Sequence, residues 1–303
     1  MKSFSLALGG GGTKGFAHIG VIKEILDQGY DISAIAGTSA GGIVGALYAC
    51  GFTVEEIEVI AKGLDYGKLF SINVNEPPSL LSLNKFFHYL KDYIGDRTFD
   101  SLIIPFAVST VDNRSGQEFI VNQGSILNAL KATTAVSGVF PPFIHENNFF
   151  VDGGVLNPVP VNIARWLNSA VPVMAVSLNA PRAEWSNLPT YSIPNYLPIP
   201  GFVANQITHM RIGKAVQTFT DSLELMMNMI TLLRLESDQA DIIISPQVYR
   251  HTMYDHVDVD EMILEGIKAV QKVAPDFPGI FSLSRRAARW IKASKPPADT
   301  IAL

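Results

Sequence analysis

Cysteine is almost missing: Cys50 is the only one in 303 residues. A single thiol excludes an internal disulfide framework and any cysteine-based metal site, and it suits a reducing compartment. Cys50 falls inside an apolar helical pattern and reads as core. A basic surplus is missing as well, since 23 Lys and Arg face 28 Asp and Glu for a formal net charge of −5. A dedicated nucleic-acid binder needs the opposite sign to neutralise phosphates, so no nucleic-acid partner is expected. Long apolar runs are absent too; none approaches the roughly 18 residues of a spanning helix. Lys2 followed by Ser3-Phe4-Ser5-Leu6-Ala7-Leu8 imitates a signal peptide weakly, but the run is short and ends in four glycines instead of a cleavage site. A cytoplasmic protein that touches a membrane only peripherally is expected.

What remains is a chain with 48% apolar and 17% charged residues, too hydrophobic for disorder and long enough to bury a large core. No internal repeat, low-complexity tract or composition shift divides it, and one domain over residues 1–303 is expected. Ser3 to Leu8 has strand character and runs straight into Gly9-Gly10-Gly11-Gly12-Thr13-Lys14-Gly15. Helical spacing follows to about Gly29, then a second strand from Ile32 to Ala36 and a second helix from Ile43 to Cys50. Alternating strand and helix predict an α/β fold with a mainly parallel sheet covered by helices. Residues 53–100 read as helical and irregular, broken at Pro77-Pro78. Pro105 to Val111 and Glu118 to Val121 predict a hairpin about an Asn-Arg-Ser-Gly turn. Ser125 to Thr134 predicts a helix, Phe149-Phe150-Val151 a strand, Val161 to Leu167 a helix and Val171 to Leu178 a buried strand. Residues 181–203 carry prolines among apolar side chains and read as a lid or binding loop. A helical C-terminal part from 205 to 303 follows, in which Asp241 to Ser245 is a further strand.

Two stretches carry chemistry. Gly37-Thr38-Ser39-Ala40-Gly41 joins a strand to a helix and matches G-x-S-x-G, the turn that holds a serine hydroxyl clear of a strand end. Taken alone it is equally a small-residue turn. Gly10-x-Gly12-x-x-Gly15 admits a dinucleotide fingerprint with Asp31 as the ribose acid, or a set of bare N–H groups for an oxyanion. A phosphate loop fails, because no Ser or Thr follows Lys14. Beside a serine turn on the neighbouring strand, the oxyanion reading is favoured. None of the six histidines stands at an obvious strand end, and His18 reads as a packed helix residue. Asp152, which closes a strand and enters Gly153-Gly154, is the better base candidate. An Asp that merely starts a turn is its plain alternative.

These motifs, in this order, resemble the bacterial form of the patatin-like phospholipase family. The resemblance rests on Gly10 to Gly15 with basic Lys14, on Gly37 to Gly41, and on Asp152-Gly153-Gly154. Phe16 to Val21, Ala132 to Pro142 and Asn157-Pro158-Val159-Pro160 add to it, over roughly residues 4–178. Ser137 departs from it where proline is expected, which touches loop stiffness rather than chemistry. The resemblance implies a three-layer α/β/α fold and a serine–aspartate dyad acting on a lipid or acyl ester without metal or cofactor. It makes Ser39 the nucleophile and Asp152 the proton acceptor. Gly10, Gly11, Gly12 and the N–H of Ala40 become the oxyanion hole, and Lys14 the anchor of the glycine loop. A non-catalytic lipid-binding or regulatory module is the competing class. The Met-rich stretch Leu225 to Ile230 reads as core, with an acyl-pocket wall as the alternative. The basic segment Arg285 to Lys292 beside Trp290 reads as a solvated helix face, with docking on anionic lipid as the alternative.

Overall fold

The computed structural model describes residues 2–64, 83–187, 211–253, 255–282 and 295–303. In chain order these give β1 (Ser3–Leu8), α1 (Ala17–Asp27), β2 (Asp31–Gly37), α2 (Ala40–Ala49), α3 (Val54–Lys62) and α4 (Asn84–Ile94). Then come β3 (Phe106–Asp112), β4 (Gln117–Gln123), α5 (Ile126–Thr133), β5 (Phe143–His145), β6 (Asn148–Asp152), α6 (Val161–Leu167) and β7 (Val173–Val176). The chain closes with α7 (Arg211–Asp238), β8 (Ile242–Ile244), α8 (Val259–Val273), α9 (Phe277–Ile280) and β9 (Asp299–Ala302). The Pro77-Pro78 break, most of the 181–203 loop and the Arg285 to Lys292 segment lie outside the described residues.

The nine strands of the described residues form one sheet, in which β3, β2, β1, β7 and β8 run parallel as neighbours. Strand alternation divides its two faces. Phe4, Leu6 and Leu8 of β1 point into a large core shared with α1, α2, α3, α4, α5 and α8. Ala7, with Ala36, Ala107 and Ala175 of its neighbours, faces a smaller core closed by α6 and by Leu235 of α7. Helices on both faces make this a three-layer α/β/α fold with a mixed, mostly parallel sheet. The alanine-rich face explains the close seat of α6, whose Ala164 carbonyl accepts the Ser5 hydroxyl at 2.7 Å.

The predicted hairpin is present, β3 and β4 pairing antiparallel from Val108↔Val121 to Asp112↔Gln117. Two strands escape prediction. The three-residue β5 pairs with β6, and β9 pairs parallel with β4 almost at the chain end. Both are too short to show a period of their own.

β3 acts as the ruler for everything that follows. Its first half pairs parallel with β2, ending at Gly37↔Val108. Its second half pairs antiparallel with β6, ending at Thr110↔Asp152. The last residues of β2 and β6 therefore approach each other along β3, with Ser109 between them.

On the far side of the main core, α1 and α8 cross with backbones almost touching. A Cβ on Gly20 would lie 1.9 Å from the Ile263 carbonyl oxygen, and one on Gly266 would lie 2.0 Å from that of Ala17. Neither neighbour is a flexible side-chain tip, so a methyl group must push the helices apart. Gly266→Ala is therefore expected to destabilise the fold by about 1–3 kcal/mol through overpacking, read as a lowered midpoint in chemical denaturation.

Candidate active site

The turn between β2 and α2 forces Ser39 into an unusual backbone state, φ 53° and ψ −121°. A side chain there carries strain of about 1–3 kcal/mol, which the surroundings must hold. They do so with backbone and side-chain hydrogen bonds on both sides. Thr38 N–H donates to the Leu8 carbonyl at 3.0 Å, and Gly41 N–H donates back to Thr38 at 2.9 Å. The Thr38 hydroxyl donates to the Asn157 carbonyl at 2.8 Å. Ser39 N–H donates to the Thr133 hydroxyl at 3.0 Å, which in turn donates to the Ser109 carbonyl at 2.6 Å. Gly41 has no alternative residue, since a Cβ would stand 2.1 Å from the Leu8 carbonyl oxygen. Ser39 caps α2 but its hydroxyl makes no capping bond. That hydroxyl instead lies close enough to the Asp152 carboxylate to favour its charged form.

Asp152 closes β6 and opens a 3₁₀ turn, Gly153–Val155. Its backbone N–H donates to the Ala135 carbonyl at 2.9 Å, and its Oδ1 accepts the Gly154 N–H at 2.7 Å. Burial raises the Asp152 pKa to about 6 against the lowering pull of the Ser39 hydroxyl and of the Gly154 N–H. Such a carboxylate is a better base than a solvated one and still ionised at neutral pH. Gly153 permits the approach, because a Cβ would meet the Ser109 carbonyl oxygen at 2.4 Å. The structure thus brings together Ser39 and Asp152, which lie far apart in sequence.

The glycine loop runs over the same point. A Cβ on Gly10 would touch that of Ser39 at 3.3 Å, and one on Gly15 would strike that of Ala40 at 2.5 Å. For Gly10 the expected donor role needs correction. Its N–H already donates to the Pro158 carbonyl at 3.0 Å, so Gly10 supplies space and not a hydrogen bond. Among the described residues no backbone acceptor takes the N–H of Gly11, Gly12 or Ala40. His18, fully buried, donates through Nε2 to the Gly9 carbonyl at 2.7 Å and is held neutral, its pKa pushed down to about 4 by burial. It ties down the start of the glycine loop. The dinucleotide reading fails on register: Asp31 pairs with Ser3 while Gly37 pairs with Leu8, so Asp31 lies at the opposite end of the strands from the loop.

With this geometry in hand, the comparisons with known proteins become decisive. The model of the patatin-like phospholipase family matches residues 6–165, a span that holds the glycine loop, the Ser39 turn and Asp152. The chain belongs to the patatin-like phospholipase family. An uncharacterized NTE family protein of Mycobacterium tuberculosis is 33% identical over 183 residues, 59% of this chain and 50% of that protein. The neuropathy target esterase sws of Drosophila melanogaster is 28% identical over 178 residues, 56% of this chain and 12% of that one. This patatin-like chain therefore spans half the length, or less, of these curated relatives. The crystal structure of VipD from Legionella pneumophila shares the fold, with a TM-score of 0.52 at 14% identity over 91% of this chain and 67% of that one.

Around the patatin-like motifs lies a cavity of about 480 Å³ lined by Ser39, Asp152 and the glycine loop. The lining contributed by the bodies of α2, α3 and α4 is apolar throughout, including Ile43, Leu47, Ile57, Ile60, Phe86 and Leu90. α7 closes the other side with Met226, Met227 and Ile230. The Met-rich stretch is thus a cavity wall and not core, with Met226 51% exposed on its outer flank. Lys14, almost fully buried, lines the cavity within electrostatic reach of Glu224 and Asp255. Burial lowers its pKa while those two carboxylates pull it back up. Thr133, whose hydroxyl carries the Ser39 N–H, escapes sequence reasoning because a threonine at a helix end has no local signature of that duty.

The Asp152 carboxyl has a consequence for stability. A folded pKa near 6, against 3.8 for the free group, means that the folded chain holds a proton over that interval and the unfolded chain does not. Stability then falls as pH rises from about 4 through about 6, and the cost is fully present above it. Asp152→Asn removes that cost and should stabilise the protein at neutral pH by at most about 3 kcal/mol. The gain should disappear below about pH 4, as read from thermal melts of both proteins across the range.

Proposed function

We propose that this protein is a serine hydrolase that cleaves carboxylic esters of lipids or related acyl substrates through Ser39 and Asp152. The observation that carries the reading is a strained serine beside a buried carboxylate with a pKa of about 6, the two placed together by strand ends that meet along β3. The esterase and phospholipase names of the relatives agree with it. In the proposed reaction Asp152 takes the hydroxyl proton while Ser39 Oγ bonds to the acyl carbon. The N–H groups of Gly11, Gly12 and Ala40 receive the resulting oxyanion, and the N-terminus of α2 adds its dipole. The carbon–oxygen bond to the alcohol then breaks, and the proton on Asp152 leaves with the alcohol. Water, deprotonated by the same carboxylate, attacks the acyl-enzyme; the acid departs and Ser39 recovers its proton. No histidine takes part. Because a carboxylate is a modest base for an alcohol, the oxyanion donors supply much of the rate, each worth on the order of 3 kcal/mol.

The apolar wall of α2, α3 and α4 suits the acyl chain, and methionines on α7 adapt to its shape. Peripheral contact with a lipid surface belongs to the same reading. Leu225, Met226 and Leu233 stand exposed on the outer flank of a helix that lines the cavity. No described helix is long and apolar enough to cross a membrane.

The test is labelling with a fluorescent fluorophosphonate, together with hydrolysis of p-nitrophenyl esters of increasing chain length. Wild type should be labelled and turn over; Ser39→Ala should do neither. On the acid side, kcat/KM should fall below about pH 6 as Asp152 gains a proton and ceases to act as a base. Wild type that binds lipid vesicles yet resists labelling would point to the non-catalytic lipid-binding module instead.

A further inference from the structure

The α7 helix is polarised the wrong way round for a helix that packs on a core. Leu225, Met226, Met229 and Leu233 are exposed, while Asn228 is 4% and Thr231 3% exposed. Glu224, Asn228 and Thr231 are four and three residues apart and so share one helix face, directed inward. Two members of this stripe have partners. Thr231 Oγ1 donates to the Met227 carbonyl at 2.8 Å and accepts Asn179 Nδ2 at 2.6 Å. Glu224 faces the Lys14 ammonium. Among the described residues Asn228 has none: its side-chain Nδ2 is buried without an acceptor, and the residue lines the cavity that holds Ser39.

A buried amide without a partner is costly and needs an explanation. The cavity supplies one. The lining from the bodies of α2, α3 and α4 offers nothing to hydrogen-bond, whereas Lys14, Asn179, Glu224 and Asn228 bring polar groups to the rest of the lining, the last two among the apolar Met226, Met227 and Ile230 of α7. An acyl ester has the same division, a hydrocarbon chain on one side of the carbonyl and an alcohol on the other. We infer that Asn228 is a specificity-determining residue which hydrogen-bonds the alcohol portion of the substrate, selecting esters of polyhydroxylated alcohols such as glycerol over esters of plain alkanols. The substrate class rests on the hydrolase reading above; the contact itself does not. Residue 228 lies beyond the span matched by the family, residues 6–165, so nothing in the shared motifs assigns it.

The test compares monooctanoylglycerol with propyl octanoate, which share an acyl chain and differ in the hydroxyl groups of the alcohol. Asn228→Leu keeps the volume and removes the amide. The ratio of kcat/KM for the glycerol ester over the propyl ester should fall about five- to tenfold, the worth of one neutral hydrogen bond. Asn228→Ser, which keeps a small donor, should retain more of the ratio. Asn228→Leu should melt at or above the wild-type temperature, because an unpaired buried amide gives way to an apolar group of similar size. A ratio unchanged in Asn228→Leu, or a lower melting temperature showing that the amide serves the fold, overturns the assignment. Calorimetric binding of monooctanoylglycerol to Ser39→Ala and to Ser39→Ala/Asn228→Leu separates this inference from the hydrolase reading. Weaker binding in the double variant supports the contact even in a protein that turns over neither ester, and equal binding overturns it.

Discussion

Two strands that end head-on along a third set the terms for this molecule. β2 stops opposite Val108 and β6 stops opposite Thr110, so one residue of β3, Ser109, separates the two chain ends. A parallel strand and an antiparallel strand on one ruler can meet only in this way, and their exits must then leave the sheet at once. The β2 exit turns through Ser39 into α2, and the β6 exit turns through Asp152 into a 3₁₀ turn. Ser109 serves both. Its carbonyl takes the Thr133 hydroxyl that holds Ser39 N–H, and it leaves no room for a Cβ on Gly153. Its hydroxyl donates to Glu118 at 2.8 Å, where the Asn157 amide also donates at 2.7 Å. Asn157 in turn accepts the Thr38 hydroxyl. Serine and aspartate are thus placed by the sheet and by a closed set of hydrogen bonds, so that Ser39 holds a conformation that an isolated chain would not.

The electrostatics follow from that placement. A carboxylate at the inner end of an antiparallel strand cannot keep its water, and losing it raises the pKa. The Gly154 N–H hydrogen bond and the nearby Ser39 hydroxyl offset part of the loss and leave the group near 6 instead of far above it. That balance is what the proposed reaction asks of a base that works without histidine. Further burial would hold it protonated at neutral pH. Full solvation would return it to the weak basicity of a free carboxylate. His18 illustrates the other use of burial, since the same desolvation keeps its ring neutral and commits it to the Gly9 carbonyl.

Much of this was legible in the sequence wherever the physics is local. Strand and helix periods located β1, β2, β3 and β4 and most helices, and glycine spacing located both chemical turns. What was hidden depends on partners distant along the chain. β5 and β9 are strands only because β6 and β4 are there to pair with them. Gly10 looked like a donor until the fold brought Pro158 to its N–H. The Met-rich stretch looked like core because composition reports how apolar a segment is and not which way its helix faces. Asn228 and Thr231 sit among methionines and leucines, where a polar residue is naturally read as the solvated side; the structure turns them inward.

That inversion separates two tasks along the chain. The serine, the aspartate and the glycine loop all fall within residues 6–165, the span common to the family. Of the polar groups that line the rest of the cavity, Lys14 falls within that span, whereas Asn179 and the Glu224 and Asn228 of α7 lie beyond it. On the proposed reading, chemistry is fixed by the sheet and its turns, which tolerate little change: at Gly41 or Gly153 even one added carbon would collide with a backbone carbonyl. On the same reading, recognition falls to α7, which lines the cavity and is anchored at its far end where Arg234 pairs with Glu118 at 3.7 Å and with Asp238 at 3.5 Å. Substitution on its inner stripe changes which hydrogen bonds the cavity offers without touching the strand ends that place Ser39 and Asp152. A fold built this way can keep one reaction and vary its substrate, because the residues that position the reacting atoms and those that face the departing alcohol sit on different elements.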